Sequence, residues 1–214
     1  DVDSPLKNTR FVDDGAKVVY SSGPGNIAEE TASLGAPLAF EKAGPRAKIY
    51  HVPAWSKAAI VTAGGLCPGL NSVIKSLTLT LQNEYGIKHI YGIKYGYAGL
   101  VPSENHEIVT LNEDVVDEIH EKGGTILGSS RGAQDEKVMV DTLEKLDVNM
   151  LFCIGGDGTL RCAHKIAEEI RARKLQTSVV GIPKTIDNDI SFMTRTFGFE
   201  TAVYATGPII TCAH

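Results

Sequence analysis

Cysteine and tryptophan are scarce in this sequence, with four cysteines and one tryptophan among 214 residues. The cysteines are scattered and form no Cys-x-x-Cys pair, so neither a zinc site nor a disulfide framework is indicated. We therefore expect a reducing compartment, the cytoplasm. No apolar run approaches the roughly 20 residues of a membrane span, and the polar start Asp1–Ser4 is unlike a signal peptide.

An excess of positive charge is also missing. The 21 Lys and Arg residues are outnumbered by 26 Asp and Glu, and the net charge is −5. This balance argues against the basic surface of a nucleic-acid-binding protein. It does not exclude anionic substrates, because backbone amides and a few local cations are enough to bind phosphate. With 43% hydrophobic residues, the chain can form one sizeable core, as in a soluble globular protein.

The chain changes character near residue 56. Residues 1–55 are interrupted repeatedly by Gly and Pro, which predicts an irregular N-terminal extension with one short strand at 48–52. Residues 56–214 alternate between apolar runs and helix-like segments, which predicts a nucleotide-binding α/β domain with a parallel, Rossmann-like sheet. We expect Asn71 and Asn112 to cap helices, the second helix to end at Gly123-Gly124, and Gly207-Pro208 to interrupt the last helix.

A run of glycines surrounds one aspartate in the segment Gly155–Thr159. We predict a buried strand at 148–154 before it and a helix at 160–174 after it. Glycines let backbone amides approach phosphate oxygens closely, and the first turn of a helix has free N–H groups for an anion. Asp157 lies where a carboxylate can reach magnesium, directly or through water. The structural alternative is a tight turn in which Asp157 caps the helix.

A second polar loop, Pro183–Asp189, follows another apolar run that we predict to be a buried strand. Lys184 supplies a point charge for phosphate, and Thr185 supplies a hydroxyl. Asp187 and Asp189 are two positions apart, so in an extended segment both would point to one side. One carboxylate can then act as a base toward an alcohol while the other orients it or helps to bind metal. An Asx-rich turn is the alternative, although it leaves Lys184 unexplained.

Two further glycine loops, Gly64–Asn71 and Gly123–Gly132, precede these in the sequence. The second carries Arg131, whose guanidinium suits phosphate. Each loop alone also fits a structural turn, and Arg131 alone fits a solvated surface charge. Ligands of parallel sheets bind beyond the carboxyl ends of the strands, so we expect the four loops to converge on one crevice. Together they carry what a phosphotransferase requires.

These loops, in this order, resemble the 6-phosphofructokinase family over roughly residues 40–214. The resemblance is carried by six segments: Ala43–Arg46, Gly64–Asn71, Gly123–Arg131, Gly155–Thr159, Pro183–Asp189 and Phe197–Ala202. The pair Leu66-Cys67 and the long N-terminal extension are similar to the ATP-dependent branch found in plants and protists. The resemblance implies ATP and fructose 6-phosphate as substrates, magnesium as cofactor, and a homo-oligomer, usually a tetramer.

The resemblance also implies roles for single residues. The ATP site would consist of Gly65, Arg131, Gly132, Gly156, Asp157, Gly158 and Thr159, with Asp157 serving magnesium. The sugar phosphate would meet Thr185, Ile186, Asp187 and Asp189. Asp187 would accept the proton of the sugar hydroxyl, while Lys184 and Arg131 would offset the charge of the transferring group. In this family Gly at position 158 is associated with ATP and Asp with pyrophosphate, and Lys at 184 occurs in the pyrophosphate enzymes and in this ATP branch.

Some features depart from that family. Thr194 stands where relatives carry Asp, and residues 204–208 differ from the usual acidic and polar helix. The family's second half, with further sugar-phosphate residues, is not present in these 214 residues. We therefore expect this chain alone to phosphorylate fructose 6-phosphate poorly or not at all. The alternatives left open are pyrophosphate as donor, a non-catalytic nucleotide-binding fragment, and a lipid or NAD kinase that shares the Gly-Gly-Asp-Gly-Thr loop.

Overall fold

The computed structural model describes residues 1–7, 9–20 and 23–213, and the chain divides into two compact units, 1–52 and 53–214. In the first unit, β1 (Val2–Asp3) pairs with β4 (Lys48–Ile49), and β2 (Lys17–Val19) pairs with β3 (Ala39–Glu41), both antiparallel. The strand expected at 48–52 is therefore present but shorter.

The first unit also contains a helix that the sequence analysis did not predict, α1 (Pro24–Leu34). Proline occupies its first turn, where the missing N–H costs nothing. The helix ends at Gly35, whose φ of 79° is left-handed. Gly and Pro here mark the two ends of a helix. They do not make the whole segment irregular, contrary to our expectation.

The second unit is built on a five-stranded sheet in the order β7-β6-β5-β8-β9. Its strands are β5 (Lys57–Ala63), β6 (His89–Ile93), β7 (Ile108–Thr110), β8 (Met150–Gly155) and β9 (Ser178–Pro183). All neighbours are parallel except β7, which runs antiparallel to β6. The predicted α/β fold is confirmed. The edge strand β7 differs from the predicted parallel sheet because two 3₁₀ turns between β6 and β7 reverse the direction of the chain. A parallel strand would need a longer crossover connection at this point.

Helices cover both faces of this sheet. They are α2 (Leu70–Leu79), followed by a π turn at Thr80–Glu84, then α3 (Glu113–Val116), α4 (Glu136–Lys145) and α5 (Asp157–Ala172). The last helix, α6 (Phe199–Ala213), is largely exposed. Alternate residues of β5 enter two separate cores: Val61 packs with side chains of α4 and α5, whereas Ile60 packs with those of α2 and α3. A central strand buried on both sides gives the site below a rigid base.

The helix caps were predicted with mixed success. Asn112 caps α3 as expected, accepting from the Val115 N–H at 3.0 Å. The helix nevertheless ends at Val116 and not at Gly123-Gly124, since its two consecutive valines are poor helix formers. The expected cap at Asn71 is wrong: α2 begins at Leu70 after Gly69, and the Asn71 side chain is buried in a long-range contact instead.

Two expectations about the end of the chain are also wrong. The strand before the second polar loop, β9, is an edge strand of the described sheet, and its Val180 is exposed rather than buried. Helix α6 continues through Pro208. The proline removes one backbone donor, but α6 is largely exposed, so water can bond the orphaned carbonyl. No helix among the described residues is long and apolar enough to cross a membrane.

Candidate active site

Three polar loops leave the sheet side by side. The last residues of the three adjacent strands are in register: Ala63 of β5 pairs with Gly155 of β8, which pairs with Pro183 of β9. Parallel strands end at the same edge, so the segments that start at Gly64, Gly156 and Lys184 emerge together. This is the convergence that we expected of these loops from the strand pattern.

The loops enclose two neighbouring cavities. The smaller, of about 300 Å³, is lined by both Asp157 and Asp187. The larger, of about 630 Å³, extends along the start of α5. Four residues line both cavities: Gly65, Arg131, Gly156 and Lys184. The two carboxylates singled out from the sequence therefore face one connected space at the carboxyl edge of the sheet.

The amino end of α5 opens onto this space. Gly156 precedes the helix, and Asp157, Gly158 and Thr159 form its first turn. Gly156, Gly158 and Thr159 line the larger cavity. The N–H groups of a first helical turn have no partner within the helix, and the helix dipole adds positive potential there. This end of α5 is consequently suited to an anion such as phosphate.

Two cations meet beside Gly65. A Cβ atom built on Gly65 would lie 3.5 Å from Lys184 Nζ and 3.8 Å from an Arg131 guanidinium nitrogen. Lys184 is only 6% exposed, and its ammonium has no hydrogen-bond acceptor or carboxylate partner among the residues that the structure describes. The ammonium faces the cavity, where an anionic ligand would pair with its charge.

The second loop is a turn and not the extended segment that we expected. Asn188 has a φ of 55°, in the left-handed region that Asn tolerates better than most residues. The Thr185 hydroxyl donates to the Asp189 carboxylate and accepts from the Asp187 N–H at 3.2 Å. Asp187 and Asp189 still line the same cavity. The carboxylate of Asp187 has no hydrogen bond from the described part of the chain, which leaves it available to a ligand.

Thr159 has a structural role in addition to its place in the cavity wall. Its hydroxyl donates to the Ala63 carbonyl at 3.1 Å, and its own carbonyl accepts from the buried Tyr97 hydroxyl at 2.8 Å. A Cβ on Gly155 would collide with the Thr159 side chain and with the Ala63 carbonyl. Only glycine therefore lets β8, α5 and the end of β5 approach this closely.

The loop that carries Arg131 is attached to the end of β5. The Gly64 N–H donates to the Ser130 carbonyl at 3.0 Å, and the Ser129 hydroxyl donates to the Gly64 carbonyl at 2.6 Å. Gly132 lines the larger cavity beside Arg131. Each predicted site residue accordingly lines one cavity or the other, including Ile186.

Sequence reasoning missed several residues of the cavity wall. Arg161, Cys162 and Lys165 of α5 line the larger cavity, and their spacing of about one helical turn after the glycine loop is the signal that could have found them. Tyr97 is also part of the wall. Burial raises the pKa of its hydroxyl far above the usual value, so Tyr97 remains a hydrogen-bond donor.

Magnesium fits this site only together with a phosphate ligand. The described residues contain no group of three or more His, Cys, Asp or Glu side chains that could hold a metal ion by themselves. Magnesium is commonly bound by one or two carboxylates plus phosphate oxygens and water. Asp157 lines the cavity at the amino end of α5, where it could supply one such carboxylate.

A comparison with known protein families covers most of this chain. The profile of the family described as Phosphofructokinase matches residues 57–214. The chain belongs to the phosphofructokinase family. This phosphofructokinase domain includes every polar loop described above.

Named relatives are similar at high identity. The ATP-dependent 6-phosphofructokinase of Borreliella burgdorferi is 56% identical over 174 residues, covering 81% of this chain and 39% of the relative. That of Trypanosoma cruzi is 57% identical over 167 residues, covering 78% and 34%. ATP-dependent 6-phosphofructokinase 7 of Arabidopsis thaliana is 49% identical over 197 residues, covering 92% and 38%. The phosphofructokinase chain thus spans well under half the length of these relatives.

Solved structures show the same fold at lower identity. The pyrophosphate-dependent phosphofructokinase from Marinobacter aquaeolei has a TM-score of 0.62 at 21% identity, covering 67% of this chain and 37% of that one. Pichia pastoris phosphofructokinase has a TM-score of 0.62 at 24% identity, covering 75% and 18%. These matches concern the phosphofructokinase fold alone, and they include pyrophosphate-dependent as well as other members.

Proposed function

We propose that this chain is the donor-binding part of an ATP-dependent 6-phosphofructokinase, which moves the γ-phosphoryl group of ATP to the 1-hydroxyl of fructose 6-phosphate. The observation that carries the proposal is the ammonium of Lys184, a residue only 6% exposed, which faces the cavity without a hydrogen-bond acceptor among the described residues. It lies beside Arg131 in a space bounded by the amino end of α5 and by Asp187. The names of the relatives, at about half identity, support the same reaction.

The donor side of the site would hold a polyphosphate. Free N–H groups at the start of α5 would bind its oxygens, and Arg131 and Lys184 would offset charge on the transferring group. Asp157 would hold magnesium together with the phosphates, and the bound ion would neutralise part of their charge. Gly65 keeps the approach to both cations open, because any side chain there would lie against them.

The acceptor side would be the Pro183–Asp189 loop. Asp187 would take the proton from the sugar 1-hydroxyl while the hydroxyl oxygen forms a bond to the γ-phosphorus. The bond between the γ-phosphorus and the β–γ bridging oxygen breaks, and its electron pair leaves with ADP. Asp189 is engaged by the Thr185 hydroxyl, so it would orient the acceptor rather than act as the base. With Thr185 and Ile186 it would form the wall against the sugar phosphate. The site mainly positions its two substrates.

We favour ATP over pyrophosphate as the donor because of Gly158. A Cβ built on Gly158 meets no heavy atom within 4 Å beyond its chain neighbours and the backbone of its own helix, and the residue lines a cavity large enough for a nucleotide. An aspartate there would bring a negative charge into the space that the donor would occupy. Pyrophosphate remains the second candidate, since two structural neighbours are named as pyrophosphate-dependent.

The test is to compare ATP and pyrophosphate as phosphoryl donors for the whole protein that the gene encodes. We expect MgATP to support phosphorylation of fructose 6-phosphate at least about 100-fold better than pyrophosphate, as kcat/KM. Gly158→Asp should lower kcat/KM for ATP by at least about 100-fold, the effect of about 3 kcal/mol of lost transition-state binding. Gly25→Asp is the matched control, because Gly25 is likewise second in its helix with no heavy atom near its Cβ. Faster turnover with pyrophosphate would establish the second candidate instead.

The 214-residue chain alone is a different case. We propose that it binds MgATP without ordinary turnover, since it covers only 39% of the Borreliella burgdorferi relative. We further propose a homo-oligomer, usually a tetramer in this family, and a cytoplasmic location. The oligomer rests on the family resemblance. The four free cysteines support a reducing compartment.

A further inference from the structure

A buried threonine outside the predicted site holds the acceptor loop. Thr196 is 7% exposed and lies three residues before α6. Its hydroxyl lies 3.1 Å from the Thr185 carbonyl and 3.1 Å from Asn188 Oδ1, and its N–H donates to the same Asn188 oxygen at 2.9 Å. Thr196 therefore bonds the loop on both sides of Ile186 and Asp187.

These bonds stabilise the turn that presents Asp187. Asn188 immediately follows Asp187 and has a left-handed backbone, which is unfavourable for a residue with a side chain unless its surroundings compensate. The Asn188 amide also donates to the Thr194 carbonyl at 3.2 Å. Both ends of the Asn188 side chain are thus held by residues 194–196.

The same segment is anchored to the donor side of the site. The Cys67 thiol donates to the Phe197 carbonyl at 3.0 Å, and a Cβ on Gly198 would collide with Pro68 and with the Cys67 sulfur. Cys67 lies two residues beyond Gly65, beside which Lys184 and Arg131 meet. We call residues 196–198 the strap, because they join the acceptor loop to the loop after β5.

We propose that Thr196 is a positioning residue for phosphoryl transfer. Through Asn188 and the Thr185 carbonyl, the strap fixes where the Asp187 carboxylate stands relative to the donor. The inference deepens the proposed function and rests on it. Thr196 lines neither cavity, so its effect would come through Asp187 and not through contact with a substrate. Displacements of about 1 Å at a reacting group can cost about 100-fold in rate.

The test compares Thr196→Val, which removes the hydroxyl at nearly constant volume, with Thr196→Ser, which keeps it. In the whole encoded protein we expect Thr196→Val to lower kcat at least about 10-fold while KM for ATP stays within about twofold. Thr196→Ser should recover most of the loss. In an Asp187→Asn background Thr196→Val should cause little further loss, because both changes act through one group. An additive loss would overturn the inference.

A second readout separates this inference from the proposed function. Amide hydrogen exchange should show faster exchange at residues 185–189 in Thr196→Val, with α5 unchanged. If wild-type protein shows no transfer but the exchange changes as expected, the proposed function fails and the positioning of the loop stands. Unchanged exchange, or normal kcat in Thr196→Val, overturns the inference. Should the valine variant not fold, Asn188→Gly replaces it, since glycine keeps the left-handed turn and removes the side-chain bonds.

Discussion

Asp187 and Asp189 are two residues apart but differ in what surrounds them. The Asp189 carboxylate accepts from the Thr185 hydroxyl, whereas the Asp187 carboxylate faces the cavity without such a bond in the described structure. A carboxylate that is to accept a proton from an alcohol needs free lone pairs within hydrogen-bond reach of it. The two similar side chains are thereby assigned different roles.

Asp187→Ser should lower kcat by at least about 100-fold with only a modest change in KM for ATP, because general-base catalysis typically contributes about 10²–10⁴-fold. Steady-state kinetics on the whole encoded protein measure this. Asp114→Ser is the control, as Asp114 is an exposed acid in the first turn of α3, and its turnover should stay normal. Near-normal turnover in Asp187→Ser would remove Asp187 from the role of base.

For single residues, the sequence predicted which side chains would line the site better than it predicted the backbone conformation that holds them. That Lys184, Arg131, Asp157 and Asp187 would line one space was predictable, because their loops were expected to converge beyond the carboxyl ends of the strands. The turn at Asn188 was predicted only as the structural alternative, and its bonds with Thr196, eight residues further on, have no local signal. The use of the Thr159 hydroxyl as a tie to Ala63, 96 residues away in sequence, has no local signal.

At the scale of elements, the position of each loop follows from the strand that precedes it. β8 is an interior, largely buried strand, and it places the amino end of α5 at the carboxyl edge of the sheet. Helix α5 was predictable from apolar periodicity and from the glycine loop at its start. The role of Asn71 was not, because its side chain accepts from the Ile126 N–H at 2.8 Å and donates to the Lys122 carbonyl at 2.9 Å. Those partners are distant in sequence.

The burial of β8 also predicts a pH dependence of stability. Burial raises the pKa of the Cys153 thiol to about 12, above its ordinary value near 9. Between about pH 9 and 12 the unfolded chain loses this proton while the folded chain keeps it. The free energy of unfolding should therefore fall as pH rises through that window, by up to about 1.4 kcal/mol per pH unit for this one group.

Denaturant unfolding at a series of pH values checks this. Cys153→Ala should flatten the alkaline slope relative to wild type, whatever it does to stability at neutral pH. Cys212→Ala should leave the slope unchanged, because Cys212 is exposed. Equal slopes in wild type and Cys153→Ala would show that the thiol ionises as easily in the folded as in the unfolded protein.

For the whole molecule, the fold class was predictable because strand–helix alternation admits few arrangements. The antiparallel direction of edge strand β7 and the exposure of β9 were not predictable. The position of a strand at the edge of a sheet depends on how the chain is connected and not on the local pattern of apolar residues. The chain spans a minor share of its relatives' length. Even so, both carboxylates, both cations and the amino end of α5 meet within these 214 residues.

The most direct test of the account is a crystal structure of the whole encoded protein with fructose 6-phosphate and a non-hydrolysable MgATP analogue. We predict the terminal phosphates at the amino end of α5 between Lys184 and Arg131, with the sugar 1-hydroxyl about 3 Å from the Asp187 carboxylate. A triphosphate bound outside this space, or a sugar hydroxyl beyond reach of Asp187, would contradict the proposed transfer.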